Sequence, residues 1–224
     1  MPAQRRLNRD ELVATAMSVA DAEGLDAVTV RRVAQQHDVT PMALYRHFDD
    51  KDGLLDALAD SVLDDVRPPA ADDRPWHEQM HDLLTAILAA MRPHPNTLPL
   101  VFDRVLACPS GLLLTERTLA LLTEAGMDVQ QGADAACQAL NFLVTLVITE
   151  PGRTRHPDPA TQDEQLRIRR AQLLSLDPAR YPHLVAAAEP LTACPSTDEY
   201  YGRGIDLIVT GMRGQSAAAI TPAR

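Results

Sequence analysis

Residues 28–58 constrain the fold of this chain more than any other segment; their sequence is VTVRRVAQQHDVTPMALYRHFDDKDGLLDAL. Val30, Val33 and Ala34 form one apolar face of a short helix, which ends at a polar break over residues 37–39. A second short helical pattern and a third, longer one follow directly. The segment therefore predicts three consecutive helices with a tight turn between the first two.

The second of these helices begins with a clear start signal. Thr40 stands where an N-cap oxygen is required, and Pro41 occupies the first turn, where its missing N–H is no loss. Leu44 and Phe48 lie four residues apart and point to a core, which leaves the opposite face outside. That outer face comprises Thr40, Met42, Ala43, Tyr45, Arg46 and His47. The pattern predicts a helix-turn-helix, in which side chains near the start of the second helix reach DNA base edges.

The flanking segments fit the same unit. Asp50 is expected to cap the third helix, and Lys51 in the first turn is the only lysine of the chain. A cation at a helix N-terminus is unfavourable to that helix, so a phosphate partner is the more natural reason for it. Upstream, Asn8 as N-cap and Gly24 as C′ residue predict a bracing helix over residues 9–23.

This order of helices resembles the N-terminal domain of TetR-family regulators. The match consists of a bracing helix ending in EGL, the TVRRVAQQHDVTPMALYRHF unit and a K-x-x-LL-x-A-L helix. It covers about residues 8–66 and extends more weakly across residues 76–150, where an EAG turn recurs at 124–126. The resemblance implies that Arg31 approaches bases or phosphates, that Thr40, Pro41, Met42, Ala43 and Arg46 face bases, and that Tyr45, His47 and Lys51 hold the DNA backbone.

The charge of the chain does not by itself indicate a nucleic-acid partner. The net charge is −10, and residues 1–51 carry seven basic against eight acidic side chains. DNA binding must therefore depend on the local placement of a few cations, namely Arg5, Arg6, Arg31, Arg46 and Lys51. Arg5 and Arg6 lie on a predicted disordered arm that can follow a groove or a phosphate strand. So few cations predict weak nonspecific affinity and a modest dependence on salt.

The sequence also bears on cellular location and redox chemistry. Since the chain has no N-terminal apolar run and its apolar stretches are interrupted, we expect neither a signal peptide nor a membrane span, and a cytoplasmic protein. Cys108, Cys137 and Cys194 are scattered without paired spacing, which favours reduced buried thiols over a disulfide framework or a zinc site. A redox-sensing cysteine remains an alternative.

The rest of the chain predicts an all-α protein with two domains. Residues 67–73, RPPAADD, interrupt the helical pattern and indicate a linker. We expect a DNA-binding domain over residues 1–66, a helical effector-binding and dimerisation domain over 67–214, and a disordered tail over 215–224. The predicted helices of the second domain span residues 75–91, 96–107, 110–124, 129–149, 161–176, 178–188 and 197–213, with a mobile loop at 151–161.

The predicted helix 129–149 is apolar on most sides. Its exceptions are Asp134, Gln138, Asn141 and Thr145, whose spacing places all four on one stripe. Because buried polar groups require partners, the stripe either faces solvent, bonds across a subunit interface, or lines a ligand cavity. The sequence leaves these three readings open.

The last predicted helix contains Gly204 and Gly211, and glycine in a helix indicates close backbone approach or an irregular segment. The family resemblance implies that this helix pairs with helix 129–149 across a two-fold axis, which makes the protein a homodimer. Two reading heads on a two-fold body meet half-sites one DNA turn apart. The expected dimer contacts are Ala136, Leu140, Leu143, Val147, Gly204, Leu207, Ile208 and Gly211.

A different class of function is raised by the sequence His77-Glu78-Gln79-Met80-His81, which matches H-E-x-x-H. On a helix this spacing places two imidazoles on one face for zinc, with a glutamate as general base. The third ligand and the extended form of the motif are absent, so chance on a polar helix face is the preferred interpretation. We expect no metal, no cofactor and no catalytic site, since no phosphate loop or nucleophile motif is present either.

The sequence thus predicts a homodimeric repressor that binds an inverted-repeat operator in double-stranded DNA and is released by an unknown small-molecule effector. The alternatives are a ligand-independent regulator or activator and a metal-dependent protein using His77 and His81. The effector is expected to shift the helix after Lys51, and it must bind the DNA-incompetent state more tightly. The candidate effector residues are Trp76, Met80, Leu84, Leu88, Met91, Phe102, Leu106, Gln138, Asn141, Phe142 and Thr145.

Overall fold

The computed structural model describes residues 8–151, 159–193 and 195–220, without the side chains of residues 159, 160, 162 and 217–220. All regular secondary structure in these ranges is helical, which confirms the predicted all-α class. The helices are α1 Arg9–Glu23, α2 Val30–Gln36, α3 Pro41–Leu44, α4 Lys51–Asp64, α5 Trp76–Met91, α6 Leu98–Arg104, α7 Pro109–Glu124, α8 Val129–Ile148, α9 Pro159–Leu174, α10 Pro182–Ala186, α11 Ala188–Leu191 and α12 Thr197–Ile220.

The chain divides into two compact units. One contains the residues up to Val147 together with those from Ile205 onward, and the other is the segment Ile148–Gly204. Within the smaller unit, Arg170 Nε donates a hydrogen bond to Thr192 Oγ1 at 3.0 Å. All the surfaces and cavities discussed below belong to the larger unit.

The first helix has the ends that the sequence predicts. The Asn8 side chain accepts a hydrogen bond from the backbone N–H of Asp10 at 3.1 Å, and Gly24 closes the helix with a φ of 87°. Between these ends, Leu12 and Ala16 are fully buried. Since only glycine adopts such a φ without strain, the turn after α1 is fixed by sequence.

The turn between α2 and α3 contains a non-glycine residue with a positive φ. α2 starts with Thr29, whose hydroxyl accepts the backbone N–H of Arg32 at 3.1 Å, and Asp38 in the turn has a φ of 53°. α3 is a single turn, shorter than predicted, because the chain then tightens: the N–H groups of His47 and Phe48 both bond the carbonyl of Leu44. Phe48 is nevertheless buried, as expected.

Helix α4 joins the N-terminal helices to the rest of the larger unit. Asp50 caps it by accepting the N–H of Gly53 at 2.8 Å, and Leu54, Leu58 and Val62 lie at most 1% exposed along one face. The helix packs against α1 on one side and against α6 and α7 on the other. It is therefore the rigid connection between the two ends of this unit.

We call the part of the larger unit that follows α4 the body; it contains α5 to α8 and the part of α12 from Ile205 onward. Its core lies among α5, α7 and α8, where Met80, Leu83, Leu122 and Leu143 are at most 1% exposed. The preceding linker is fastened to α5 by the buried Gln79, whose side-chain amide donates to the carbonyls of Asp72 and Arg74 at 2.9 and 2.8 Å. The sequence does not reveal this fastening, because a glutamine in an HEQMH segment looks like a surface residue.

Three predicted helix bounds are wrong. α6 covers Leu98–Arg104 instead of residues 96–107, because Val105–Ala107 form the corner into α7. The predicted helix 178–188 is two short ones, α10 and α11. α12 continues past residue 213 to Ile220, so residues 215–220 are helical where a disordered tail was expected. The buried Ser216 hydroxyl donates a hydrogen bond to the carbonyl of Ala125 and so attaches this last part of the helix to the end of α7. Most of the predicted mobile loop, residues 152–158, lies outside the described ranges.

Helix α8 is long and apolar enough to cross a membrane by composition alone. Its buried side, which includes Leu143 and Val147, packs inside the protein, and its exposed side carries Asp134, Gln138 and Asn141. This is the distribution of a core helix in a helical bundle.

Candidate nucleic-acid interface and ligand cavity

The outer face of the helix-turn-helix is exposed as predicted. Met42 is 71% exposed and Tyr45 48%. Pro41, Thr40, Arg31, Arg46 and Lys51 are exposed as well, whereas Ala43 and His47 are partly buried. Arg5 and Arg6 lie outside the described residues. The described members of the predicted set are thus distributed over α2, α3, the turn after α3 and the first turn of α4.

The hydroxyl of Thr40 is not used within the helix it precedes. Thr40 occupies the N-cap position of α3 with an extended backbone, but its side chain makes no capping hydrogen bond. The equivalent residues of α2 and α4, Thr29 and Asp50, both cap through their side chains. Because the Thr40 oxygen is exposed and uncommitted, it is available to an outside partner.

The cations near this surface fall into two groups. Arg32 forms a two-pronged contact with Glu23, in which Nη1 lies 2.8 Å from Oε2 and Nη2 contacts Oε1. These hydrogen bonds lower the pKa of Glu23 and raise that of Arg32. Within the described ranges, Arg31, Arg46 and Lys51 form no ion pair, so their charges remain available to phosphates.

One further cation at this surface was missed by sequence reasoning. The guanidinium of Arg9 lies 5.2 Å from the centroid of the Phe48 ring, within the range of a cation–π contact. This places the first residue of α1 against the turn that follows α3. The sequence gives no signal for this contact, because no local pattern links residues 9 and 48.

An apolar cavity of about 100 Å³ lies in the body, between α4, α5, the α6–α7 corner, α7 and α8. Its lining consists of Leu63, Leu84, Ile87, Met91, Val105, Leu106, Leu114, Thr115, Thr118, Ala136, Cys137, Ala139, Leu140 and Leu143. No charged side chain lines it. Its polar groups are two threonine hydroxyls and one thiol, and the Thr118 hydroxyl already donates to the carbonyl of Leu114 at 2.8 Å.

The size of this cavity limits what it holds in the present conformation. Sites for drug-sized ligands measure roughly 300–1,000 Å³, whereas a dry cavity of roughly 150 Å³ accepts benzene. The exposed residues of the lining are Leu106, at 65% exposure, and Cys137. A molecule larger than one ring must therefore widen the cavity or remain partly outside it, beside these two residues.

The apolar cavity is lined by a different set of residues from the one predicted for the effector. Of the eleven predicted effector residues, only Leu84, Met91 and Leu106 line the cavity. The predicted dimer residues Ala136, Leu140 and Leu143 line it instead. Most members of both sets are apolar residues at helical spacing, so the position of the neighbouring helices decides which side faces inward.

The remaining predicted effector residues lie elsewhere. Met80 and Leu88 are buried core residues, and Trp76 packs edge-on against His77 with ring centroids 5.8 Å apart. Phe102 is 38% exposed. Gln138, Asn141, Phe142 and Thr145 lie on the exposed side of α8, so the polar stripe does not line the apolar cavity.

A groove of about 290 Å³ runs between α8 and α12. Gln138, Phe142, Leu207, Ile208 and Gly211 are among its lining residues. Leu207 is 66% exposed and Phe142 37%, so two large apolar side chains face outward here. The predicted use of Leu143 and Val147 as dimer contacts is wrong, because both are buried inside the protomer, at 1% and 0% exposure; Gly204 is buried too.

The two histidines of the HEQMH segment do not form a metal centre in this structure. His77 and His81 line a polar groove between α5 and α12, and His81 Nε2 lies 3.6 Å from Asp206 Oδ1. Across the ranges that the structure describes, no group of three or more histidine, cysteine or acidic side chains is arranged to hold a metal ion.

The corner between α6 and α7 is fastened to α4 by three carboxylates, spaced one helical turn apart. Arg104 donates from Nε and Nη2 to the two oxygens of Asp60 at 2.9 and 3.0 Å, and from Nη1 to Asp56 at 3.0 Å. The hydrogen bond with Asp60 raises the pKa of Arg104. Beyond the corner, the Ser110 hydroxyl donates to Asp64. Asp56, Asp60 and Asp64 of α4 are therefore committed to this corner.

Glycine is required at position 111 of the same corner. A Cβ at Gly111 would overlap the backbone of Val105. Cys108 is buried beside it and caps α7, its sulfur accepting the N–H of Gly111 at 3.4 Å; burial raises the pKa of this thiol. The close approach holds the corner in one shape.

A second set of contacts joins the body to α1. His94 Nδ1 lies 2.8 Å from Asp21 Oδ2, and the Asn96 side-chain amide donates to the carbonyl of Ala20 at 2.8 Å. The loop before α6 is thus attached to the C-terminal end of α1, on a different helix from the α4 contacts.

Two family models match the chain. The model described as bacterial regulatory proteins, tetR family, matches residues 12–58, and the model described as tetracyclin repressor-like, C-terminal domain, matches residues 68–216. A curated relative from Streptomyces coeruleorubidus, the HTH-type transcriptional repressor DrrR1, is 28% identical over 223 residues, which cover 94% of this chain and 82% of the relative.

Solved structures agree with these matches. Apo ActR from Streptomyces coelicolor has a TM-score of 0.80 and 28% sequence identity, with 97% of this chain and 100% of that chain covered. ActR in complex with actinorhodin has a TM-score of 0.77 and 29% identity, with 94% and 99% covered. Both the N-terminal helices and the helical body of this chain therefore have counterparts in known proteins.

Proposed function

Because the chain belongs to the TetR family of bacterial transcriptional regulators, we propose that it is a homodimeric repressor that binds an inverted-repeat operator and is released by a small molecule. The observation that carries the proposal is the surface around α3, where an uncommitted hydroxyl, exposed apolar side chains and unpaired cations occur together. Its site of action is the cytoplasm, where the DNA is.

The chemistry of this surface matches the requirements of a major groove. Met42 and the ring of Tyr45 offer apolar contact to thymine methyl groups and sugars, and Thr40 offers a hydroxyl to a base edge or phosphate. Arg31, Arg46 and Lys51 flank these residues and supply charge to the phosphates. Arg5 and Arg6 are proposed to extend these contacts from the N-terminal side.

The apolar cavity supports the proposal of a small-molecule effector. Since no charged side chain lines it, the part of the effector that enters is uncharged and apolar, because burial of an unpaired charge is costly. The related ActR has been solved with actinorhodin bound, which supports a ligand in the corresponding body. The revised effector set is Leu84, Met91, Val105, Leu106, Thr115, Thr118, Cys137 and Leu140.

The groove between α8 and α12 supports the dimer. Leu207 and Phe142 are large apolar residues left exposed on one protomer, and the polar stripe beside them offers Gln138 and Asn141 for hydrogen bonds across an interface. A two-fold axis at this groove brings the same surface of two chains together, as a C2 dimer requires. Of the predicted dimer residues, Leu207, Ile208 and Gly211 are retained.

A ligand-independent regulator or activator is the second candidate. It shares the same reading surface, and the small volume of the cavity favours it. We propose no catalytic activity, and we interpret the HEQMH segment as a polar helix face, since no group of three metal-ligating side chains is arranged around it within the described residues.

Selection from random DNA duplexes at low ionic strength tests the proposal. The full-length protein should enrich an inverted repeat, and Tyr45→Ala or Arg46→Ala should abolish that preference while the helical circular dichroism is retained. Leu113→Ala is a matched control, because this side chain is also exposed, at 72%, but lies on α7 in the body. A wild-type protein with no sequence preference would contradict the proposal.

A further inference from the structure

The wall of the apolar cavity and the acidic face of α4 meet at one residue. Arg104 ends α6, and the next two residues, Val105 and Leu106, line the cavity. The same Arg104 holds Asp60 with two hydrogen bonds and Asp56 with one. A displacement of the wall at Val105 therefore acts directly on a guanidinium attached to α4.

Helix α4 connects this attachment to the DNA-reading surface. Lys51 in its first turn belongs to that surface, and Leu63 near its end lines the cavity. Asp56 and Asp60 follow Lys51 by about one and a half and two and a half turns. A helix rises by about 1.5 Å per residue, so Asp60 lies roughly 13 Å along the axis from Lys51. We call the hydrogen bonds of Arg104 with Asp60 and Asp56 the Arg104 clamp. The clamp therefore holds the same helix that carries the proposed DNA contact of Lys51.

The geometry of the clamp is specific. Nε and Nη2 of one guanidinium bond the two oxygens of Asp60 in parallel, an arrangement that fixes orientation as well as distance. The Arg104 side chain is 22% exposed and Asp60 26%, so solvent screens the pair only in part. Gly111 lies so close to Val105 that a Cβ would overlap its backbone, so the corner has little free space next to the clamp. We expect a movement of the wall to be passed to α4 or to break the clamp.

We propose that Arg104 is the positioning residue that couples occupancy of the cavity to the orientation of α4, and hence to operator affinity. The inference rests on the proposed function, since it names the regulatory connection of that same cavity. Its content is that a group placed in the cavity weakens DNA binding through the Arg104–Asp60 clamp. Without the clamp, a group can still occupy the cavity and the protein can still bind its operator, but occupancy no longer weakens DNA binding.

The cavity has a natural attachment point for a probe, because Cys137 lines it and is exposed. The full-length protein is treated with N-phenylmaleimide. The Cys137 thiol adds across the double bond of the reagent, which leaves an apolar ring at the cavity mouth. Peptide mass mapping establishes that Cys137 carries the adduct. Cys137→Ser treated in the same way controls for adducts on the other cysteines. Operator affinity, on a duplex selected with the wild-type protein, is then measured with and without the adduct.

The wild-type protein should lose operator affinity by tenfold or more on modification. In Arg104→Gln and in Asp60→Asn the ratio of modified to unmodified Kd should fall below twofold. Arg32→Gln is the matched control, because it removes an equally two-pronged arginine–carboxylate contact that lies between α2 and α1. It should retain the wild-type ratio within twofold, whatever its effect on thermal stability.

The possible results separate the inference from the function on which it rests. If Arg104→Gln loses as much operator affinity on modification as the wild-type protein, the inference is overturned. Asp60→Asn takes its place if Arg104→Gln does not fold. A wild-type protein that binds its operator equally with and without the adduct also overturns it, while DNA binding stands. A wild-type protein that selects no operator overturns the proposed function, and this inference with it.

Discussion

The salt dependence of operator binding provides a quantitative test of which cations contact DNA. Arg31, Arg46 and Lys51 are exposed and form no ion pair within the described residues, whereas Arg32 is committed to Glu23. Two protomers with these three cations neutralise about six phosphates, which gives a slope of log K against log salt of about −5 and a loss of roughly 10³ in affinity between 50 and 200 mM salt.

The perturbation is Lys51→Gln, which removes one phosphate contact per protomer. The slope should become shallower by about 2, so that the affinity loss over the same salt range is roughly 10². Contacts from Arg5 and Arg6 would steepen both slopes equally and leave this difference unchanged. The measurement is fluorescence anisotropy of a labelled operator duplex at five or more salt concentrations.

Arg32→Gln is again the control, since it removes the same charge from a side chain already paired. Its slope should match that of the wild-type protein, although its affinity at any one salt concentration is free to differ. If Lys51→Gln leaves the slope unchanged, or if Arg32→Gln lowers it by the same amount, the assignment of contacts from exposure and ion pairing is refuted.

Five other substitutions have expected outcomes. Gly111→Ala should lower stability by about 1–3 kcal/mol in urea unfolding because its Cβ meets backbone, while Gly214→Ala, with open space around it, should be neutral or stabilising. Leu207→Asp should give a monomer by analytical ultracentrifugation at concentrations where the wild-type protein is a dimer, and a persisting dimer would exclude the α8–α12 groove. Asp50→Ala should lower the free energy of unfolding by about 1 kcal/mol, because the side-chain cap of α4 is lost. Thr40→Ala should leave that free energy unchanged and weaken operator binding. The reverse pattern would contradict the roles given to these two residues.

The N-terminal helices could be predicted well because their signals are local. Asn8, Gly24 and Asp50 act on residues two to four positions away, and the structure shows each of them in the role that the sequence indicates. The length of α3 was overestimated, since the tightening after Leu44 follows from how the turn packs on its neighbours.

The sides of α8 could not be predicted, for a physical reason. This helix is apolar around most of its circumference, so periodicity does not distinguish the side that packs inward from the side that faces another chain. Leu143 and Phe142 are adjacent in sequence, yet the first is 1% exposed and the second 37%. Only the positions of α5, α7 and α12 decide between them.

Most of the cavity lining was missed for a related reason. Thr115, Thr118 and Cys137 lie on helices rich in leucine and alanine, and nothing in their spacing distinguishes a cavity wall from a filled core. The Arg104 clamp was hidden as well, because it joins residues 44 and 48 positions apart. Both features arise from tertiary packing of helices whose own sequences are ordinary.

The near absence of polar groups in the cavity wall limits how finely this regulator distinguishes among chemical signals. A purely hydrophobic recess separates two molecules that differ by one methylene by only about 1–3 kcal/mol, whereas rejection by unmatched hydrogen bonds is far stronger. We expect the protein to answer to a set of related hydrophobic compounds of similar width. A bacterium that carries such a sensor would respond to a class of compounds, including the precursors and degradation products of any one member.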